Sequence, residues 1–268
     1  MRSLARTFAP SAAAFALLLL ATSAEAQLAK PLLKCPRDSV PSGGLCVDKF
    51  EASIWRVPHA TGENKGLVKK IRKGAATLKD LTKAGATPLG LNLPNDYPPC
   101  SGFGSGCGDV FAVSLPAVYP SALLSWFQAV AACKNSAKRL PSNAEWQQAV
   151  AGTPDPGGDD GTTDCNTNGG STQTGARSAC VSAAGAFDMV GNKLEYVADW
   201  HVRGSTVGAW SASLSPTGDA QLLVGADGEP AVLLRGGSRF SGASAGPLSL
   251  IEIGLPGGDF NIGFRCVR

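Results

Sequence analysis

Little in this chain pushes it toward a charged or membranous partner. Only 17% of its residues are charged and the formal net charge is +3, too near neutral for general affinity to nucleic acid or an anionic membrane. Its longest apolar run, Ala12 to Ala21, is half the ~20 residues that a bilayer-spanning helix requires. Histidine is scarce. His59 and His201 are the only two, so a three-histidine metal centre is excluded. No cysteine occurs between Cys180 and Cys266, a gap that bears on function below.

Arg2 and Arg6 precede the apolar run, and Ala24-Glu25-Ala26 forms a small-x-small cleavage site before Gln27. That is the pattern of a secretory signal peptide. The residue immediately after the cleavage site is Gln27 and not cysteine, which argues against a lipoprotein. The sequence thus predicts a signal peptide over 1–26 and an exported mature chain over 27–268, secreted or periplasmic. Removing Arg2, Arg6 and Glu25 lowers the net charge to +2. The remaining ~240 residues suffice for one large domain, and 33 Gly and 18 Pro predict a loop-rich one.

All eight cysteines, Cys35, Cys46, Cys100, Cys107, Cys133, Cys165, Cys180 and Cys266, lie in the mature chain. An even number in an oxidising compartment reads as four disulfides, for which sequence alone leaves about 105 pairings. Short loops suggest Cys35–Cys46, Cys100–Cys107 and Cys165–Cys180, which leaves Cys133 with Cys266.

The segment Cys46 to Ser53 alternates imperfectly, as in a half-buried strand. Residues 56–109 read as an insertion. It contains a basic run (Lys65, Lys69, Lys70, Arg72, Lys73), expected to be a solvated face, and a short helix over Leu78–Lys83. Ser121 is the predicted N-cap of a helix carrying Leu124, Phe127, Gln128, Ala131 and Ala132, with Cys133 in its last turn. A second helix starts at Ser142, whose spacing to Glu145 is a capping box, and buries Trp146 and Val150. Residues 156–175 lack apolar periodicity and predict a long loop. Asp155, Asp159 and Asp160 read as its solvated charges. Strands are expected over Leu194–Val197, Leu222–Gly225, Ala231–Arg235 and Gly263–Val267. Helices packed on short strands make an α+β domain.

Four blocks recur in a fixed order: Lys138-Arg139-Leu140-Pro141-Ser142-Asn143-Ala144-Glu145-Trp146, the run Gly185 to Trp200, Arg235-Gly236-Gly237-Ser238, and Ile262-Gly263-Phe264-Arg265-Cys266. In these the chain, from about residue 46 to 268, resembles the formylglycine-generating enzyme (sulfatase-modifying factor) family. The resemblance implies that family's fold, related to the C-type lectin fold, and it too pairs Cys133 with Cys266. It also implies calcium. The matching positions are Asp188 and Glu195 through side-chain oxygens and Gly191 and Lys193 through backbone oxygens, a donor set of the hard kind that calcium takes. A second site would start at Asn166 and Thr167. Variable proteins diversified by retroelements resemble the chain as well, with their variable surface between the Arg-Gly-Gly-Ser and Ile-Gly-Phe-Arg blocks.

The family's oxygen-dependent enzymes bind copper(I) with two cysteines after the Gly-Gly-Ser block, because copper(I) requires soft thiolates. Here those positions are Ser241 and Gly246, so neither copper nor, with two histidines, the iron of the related sulfoxide synthases is expected. No Ser/His/Asp set is supported, and His201 reads as a surface or supporting residue. Arg239, Phe240 and Ser241 stand out instead as binding anchors on a rigid loop platform. The expected function is an exported, non-catalytic protein that binds a protein, peptide or glycan. An enzyme with an altered centre, or a structural envelope component, is the alternative.

Overall fold

The computed structural model describes residues 33–91, 96–155, 157–202, 207–209, 217–222, 230–254 and 257–268. The predicted signal peptide lies outside the described residues.

A hairpin of β1 (Ser39–Ser42) and β2 (Leu45–Asp48) turns through Gly43 and Gly44, both at positive φ, as tight two-residue hairpin turns demand. Next, β3 (Ala52–Arg56) takes the centre of a three-stranded antiparallel sheet, flanked by β4 (Thr87–Leu89) and β5 (Val110–Ser114). The half-buried strand expected over Cys46–Ser53 is therefore two strands, interrupted at Lys49–Glu51. The alternation is imperfect because β3 is covered on both faces. Ala52 and Ile54 join the central core, and Trp55 joins a second cluster on the opposite side, as successive side chains of a strand must.

That second cluster fills much of the 56–109 segment. Helix α1 (Lys65–Arg72) buries Leu67, Val68 and Ile71 while its lysines and Arg72 are exposed, as predicted for a solvated basic face. Helix α2 (Leu78–Lys83), capped by Thr77 and Asp80, adds Leu81; Trp55 and Phe111 close the cluster from the sheet.

Helix α3 (Trp126–Asn135) begins later than expected. Its N-cap is Ser125, whose hydroxyl accepts the Gln128 N–H while Gln128 Oε1 accepts the Ser125 N–H. Ser121 is instead fully buried, donating to the Leu89 carbonyl (2.6 Å) and accepting from the Ile54 N–H (2.7 Å). Helix α4 (Asn143–Ala149) has the predicted Ser142/Glu145 capping box and buries Trp146, with Val150 at its C-cap.

The second half of the chain builds a six-stranded sheet from β6 (Leu194–Val202), β7 (Val207–Ala209), β8 (Ala220–Leu222), β9 (Pro230–Arg235), β10 (Leu250–Gly254) and β11 (Ile262–Phe264). Their spatial order is β11-β6-β9-β10-β8-β7, with β6/β11 and β8/β10 parallel. Strand β6 runs past the predicted Val197 to Val202 through a register shift between Tyr196 and Trp200. The final strand stops at Phe264, and Val267 makes isolated bridges to Val47 and Arg139 instead. Of the strand expected over Leu222–Gly225, only Leu222 lies within the described residues.

The four disulfides are Cys35–Cys46, Cys100–Cys107, Cys133–Cys266 and Cys165–Cys180, with no free cysteine. Cys133–Cys266 spans 133 residues, a closure worth about 5 kcal/mol in the chain-entropy model. Beside it, Lys138 is fully buried between Asp38 (2.7 Å) and Asp48 (2.6 Å). Burial outweighs this cation at Asp48, whose pKa is raised. Among the described residues, no helix is long and apolar enough to cross a membrane.

Candidate functional site

The run Gly185–Trp200 enters the core through a string of left-handed residues: Asp188 (φ 56°), Gly191 (φ 75°) and Asn192 (φ 54°). Gly191 is dictated by contact as well, since a Cβ there would sit 2.4 Å from the Asn166 carbonyl oxygen. The turn directs Asp188, Asn192 and Glu195 inward, all at most 2% exposed. There they meet two buried residues from distant parts of the chain, Glu51 and Arg265. Arg265 Nε and Nη2 donate to Glu195 Oε1 (2.9 and 2.6 Å), and Nε also reaches Oε2 (2.7 Å). Trp146 Nε1 donates to Oε2 as well (2.7 Å). Asp188 Oδ2 accepts the Gly175 N–H, and Glu51 accepts from Asn192 Nδ2 (2.5 Å) and the Lys193 N–H (3.0 Å).

Three buried carboxyl groups thus face one guanidinium. Burial holds Glu51 well above the ordinary carboxylate range, and Asp188 and Glu195 push it further. Burial likewise raises Asp188 to about 6, against the pull of the Gly175 N–H and Arg265. The cluster carries excess negative charge, which a proton or a cation would relieve.

The calcium expectation meets this geometry unevenly. A carboxylate offers about four lone-pair sites, and those of Glu195 are taken by Arg265 and Trp146. As built, Glu195 does not fit the role of calcium ligand. Asn166 fits better. It is 1% exposed, and its Oδ1 lacks a hydrogen-bond partner, as does Thr167 Oγ1 next to it. Asn166 Nδ2 is meanwhile committed to Gly170, Thr172 and Asn192. Among the described residues, no three His, Cys, Asp or Glu side chains form a metal cage, so calcium would lean on carbonyl, amide and hydroxyl oxygens, which it accepts readily.

The Arg239–Ser241 segment divides between surface and core. Phe240 is 61% exposed and Phe260 49%, with ring centroids 6.4 Å apart and edge to face. The Arg239 guanidinium lies under both rings, 4.4 Å from the Phe240 centroid and 5.5 Å from that of Phe260. Ser241 does not join this platform through its hydroxyl, which accepts the Ser238 N–H (2.9 Å) at the start of a 3-10 turn, Gly242–Ser244. Phe260, absent from the expected anchors, reaches the site through the loop before β11. Ser171, bonded by both Arg239 and Lys193, links the platform to a cleft of about 400 Å³ lined by Leu91, Tyr119, Pro120, Ser171 and Lys193.

Two expectations about charged residues change. Asp159 is not solvated: its buried side chain pairs with Arg177 (3.0 Å), while exposed Asp160 accepts the N–H groups of Thr162, Thr163 and Asp164. Asp155 accepts from Thr217 Oγ1 (2.5 Å) and is held above its ordinary range chiefly by burial, with Asp219 adding to it. His201 Nε2 lies 2.7 Å from the buried Glu252 Oε1, which makes it a supporting residue.

A family model for the sulfatase-modifying factor enzyme 1-like domain matches residues 105–268. The chain belongs to this family. No curated protein matches it at a significant level. Solved structures similar to this family member include the Major Tropism Determinant U1 variant, at 18% identity and TM-score 0.46, covering 88% of this chain and 53% of that one. The I1 variant matches at 22% identity and TM-score 0.39, with 54% and 37% covered. A structure titled "Crystal Structure of CarF" matches at 18% identity and TM-score 0.38, with 56% and 67% covered. The chain spans at most about half the length of these two tropism-determinant variants.

In this sulfatase-modifying-factor-like domain, Ser241 and Gly246, the positions the family resemblance matches to cysteines, have surroundings of their own. Ser241 spends its hydroxyl on its own turn. Gly246 is buried, and a Cβ there would lie 2.2 Å from Asp219 Oδ1. The Asp219 carboxylate, 1% exposed, accepts the Leu248 N–H (2.6 Å) and fills the space a cysteine side chain needs.

Proposed function

We propose that this protein is an exported, non-catalytic binding member of its family, stabilised by calcium and disulfides. The observation that carries this is the Asp219 carboxylate packed against Gly246: the second thiol is replaced, and its place is occupied. With every cysteine in a disulfide, copper(I) has no thiolate ligands. The Arg239–Phe240–Phe260 platform is the binding face, and its partner is an exported protein, peptide or glycan. Exposed aromatic rings held against the Arg239 guanidinium supply contact area at low ordering cost. Calcium belongs with Asn166 and Thr167, whose oxygens lack partners, and with Asp188 and the Gly191 and Lys193 carbonyls beside the acidic cluster.

Capture from periplasm or culture medium tests the binding face. Wild-type protein is expected to retain a partner that the Phe240→Ala variant loses, and identical capture by both refutes the assignment. Metal analysis of the purified protein is expected to find calcium without copper; stoichiometric copper overturns the non-catalytic reading. Calcium should raise the melting temperature of wild type and leave Asn166→Ala unchanged.

One observation favours an enzyme with an altered centre: Thr217 Oγ1 lies within hydrogen-bond distance of both Asp155 (2.5 Å) and Asp219 (3.2 Å), the latter packed against Gly246, and paired carboxyl groups can serve acid–base chemistry. Turnover of a peptide that is abolished by Asp219→Asn would support that reading, and none is expected.

A further inference from the structure

Lys193 and Arg239 are 5% and 9% exposed, yet no carboxylate among the described residues bonds either directly; Asp259 acts on both, and Glu51 on Lys193, only from a distance. Lys193 Nζ donates to Ser171 Oγ (3.2 Å) and the Phe260 carbonyl (2.5 Å). Arg239 Nη1 donates to the same Ser171 oxygen, and its Nε has no hydrogen-bond partner. Among the described residues neither cation joins an ion pair. Buried cations are ordinarily paired. Here two of them converge on one neutral hydroxyl at the floor of the cleft.

Resting on the binding reading above, we infer that Lys193 and Arg239 form a subsite for the carboxylate of a peptide ligand, with Ser171 holding its place in the free protein. A carboxylate entering the cleft would take the Lys193 ammonium and a guanidinium edge of Arg239, forming the charge-assisted bonds that Ser171 cannot offer. Leu91, Tyr119 and Pro120 line the cleft beyond the cations, with Phe240 and Phe260 on the other side of Ser171. They suit the aromatic or aliphatic side chain next to the carboxylate. Among the described residues the cleft lining has no carboxylate or amide side chain to bond the hydroxyls of a sugar ring, which favours a peptide over an acidic glycan.

The test uses three probes on the disulfide-bonded protein, followed by titration calorimetry or ligand-observed NMR: N-acetylphenylalanine, N-acetylphenylalaninamide and methyl glucuronide. The acid is expected to bind about tenfold tighter than the amide. Arg239→Gln and Lys193→Met should each reduce that preference to about threefold or less. Ser171→Ala, which removes the competing acceptor and keeps both cations, should preserve or increase it and shows that cleft variants still fold. Equal binding of acid and amide, or a preference unaffected by Arg239→Gln and Lys193→Met, overturns the anion subsite. Glucuronide binding as tight as the acid, with the same dependence on Arg239, overturns the peptide assignment. If Phe240→Ala loses acid and amide alike while wild type does not distinguish them, the aromatic platform stands and the carboxylate subsite falls.

Discussion

Replacing Arg265 by Met is expected to be among the most damaging single changes outside the cysteines. The side chain is fully buried and bonds both oxygens of Glu195, the Asp48 carbonyl (3.0 Å) and the Phe187 carbonyl (2.8 Å). Methionine occupies much of the same space and satisfies none of these acceptors. Removing one partner of a buried ion pair costs about 3–5 kcal/mol, and each buried carbonyl left without its donor adds about 1 kcal/mol. Glu51 and Asp188 add to the penalty, because the same guanidinium is the cation that offsets their charge. A loss near 5 kcal/mol is comparable to the whole stability of many domains, about 5–15 kcal/mol. Urea unfolding followed by tryptophan fluorescence, with the disulfides intact, reads it as a shift in midpoint. The double variant Arg265→Met/Glu195→Gln removes the stranded charge and should recover about 2 kcal/mol, seen as non-additivity in a mutant cycle. A loss below about 1 kcal/mol for Arg265→Met, or strict additivity, refutes the claim that this pair locks the closing segment to the Gly185–Trp200 run.

Glu145→Ala should cost about 1 kcal/mol through loss of the α4 capping box. Arg139 and the Ser142 N–H hold Glu145 down at about 2, below its unfolded value, so its ionic contribution is present above pH ~4.5 and lost as pH falls toward 2. The site is exposed enough that this part stays under about 1 kcal/mol, and acid titrations of wild type and Glu145→Gln measure it. Introducing cysteines by Ser241→Cys with Gly246→Cys is expected to destabilise the fold without conferring stoichiometric copper, because Asp219 packs against Gly246; adding Asp219→Ala should relieve part of the destabilisation. Removing the Cys133–Cys266 bond by a double serine substitution should lower stability by about 4–5 kcal/mol, and a loss under about 1 kcal/mol would show that the entropic account fails here.

The elements that local chemistry governs were readable in the residues. The Ser142/Glu145 capping box and the amphipathic basic helix depend on neighbours within a few positions, and the three short disulfides on partners at most 15 apart. The same grammar was present at Ser125-Trp126-Phe127-Gln128, yet Ser121 drew the helix start because a lone serine before an apolar run looks alike. Only the sheet shows that Ser121 is needed elsewhere, between Leu89 and Ile54. The strand over Cys46–Ser53 misled for a related reason: a strand covered on both faces loses its alternation. Of the candidate site, Asp188 stood out from the Gly185–Trp200 block, and Asn166, Arg239 and Phe240 from their positions relative to the blocks. Glu51, Ser171, Asp219 and Phe260 were not, since each acts through a partner far away in the chain.

The sequence by itself determined the family, the number of cysteines available for disulfides and the absence of thiolates at positions 241 and 246. These follow from residue identity and order, which folding does not alter. Tertiary structure decided how those residues are used. It committed Glu195 to Arg265, filled the space beside Gly246 with Asp219, and brought Lys193 and Arg239 together on one serine. Buried charges act over a few ångströms in a medium that screens them weakly, so their roles depend on which distant groups the fold places beside them.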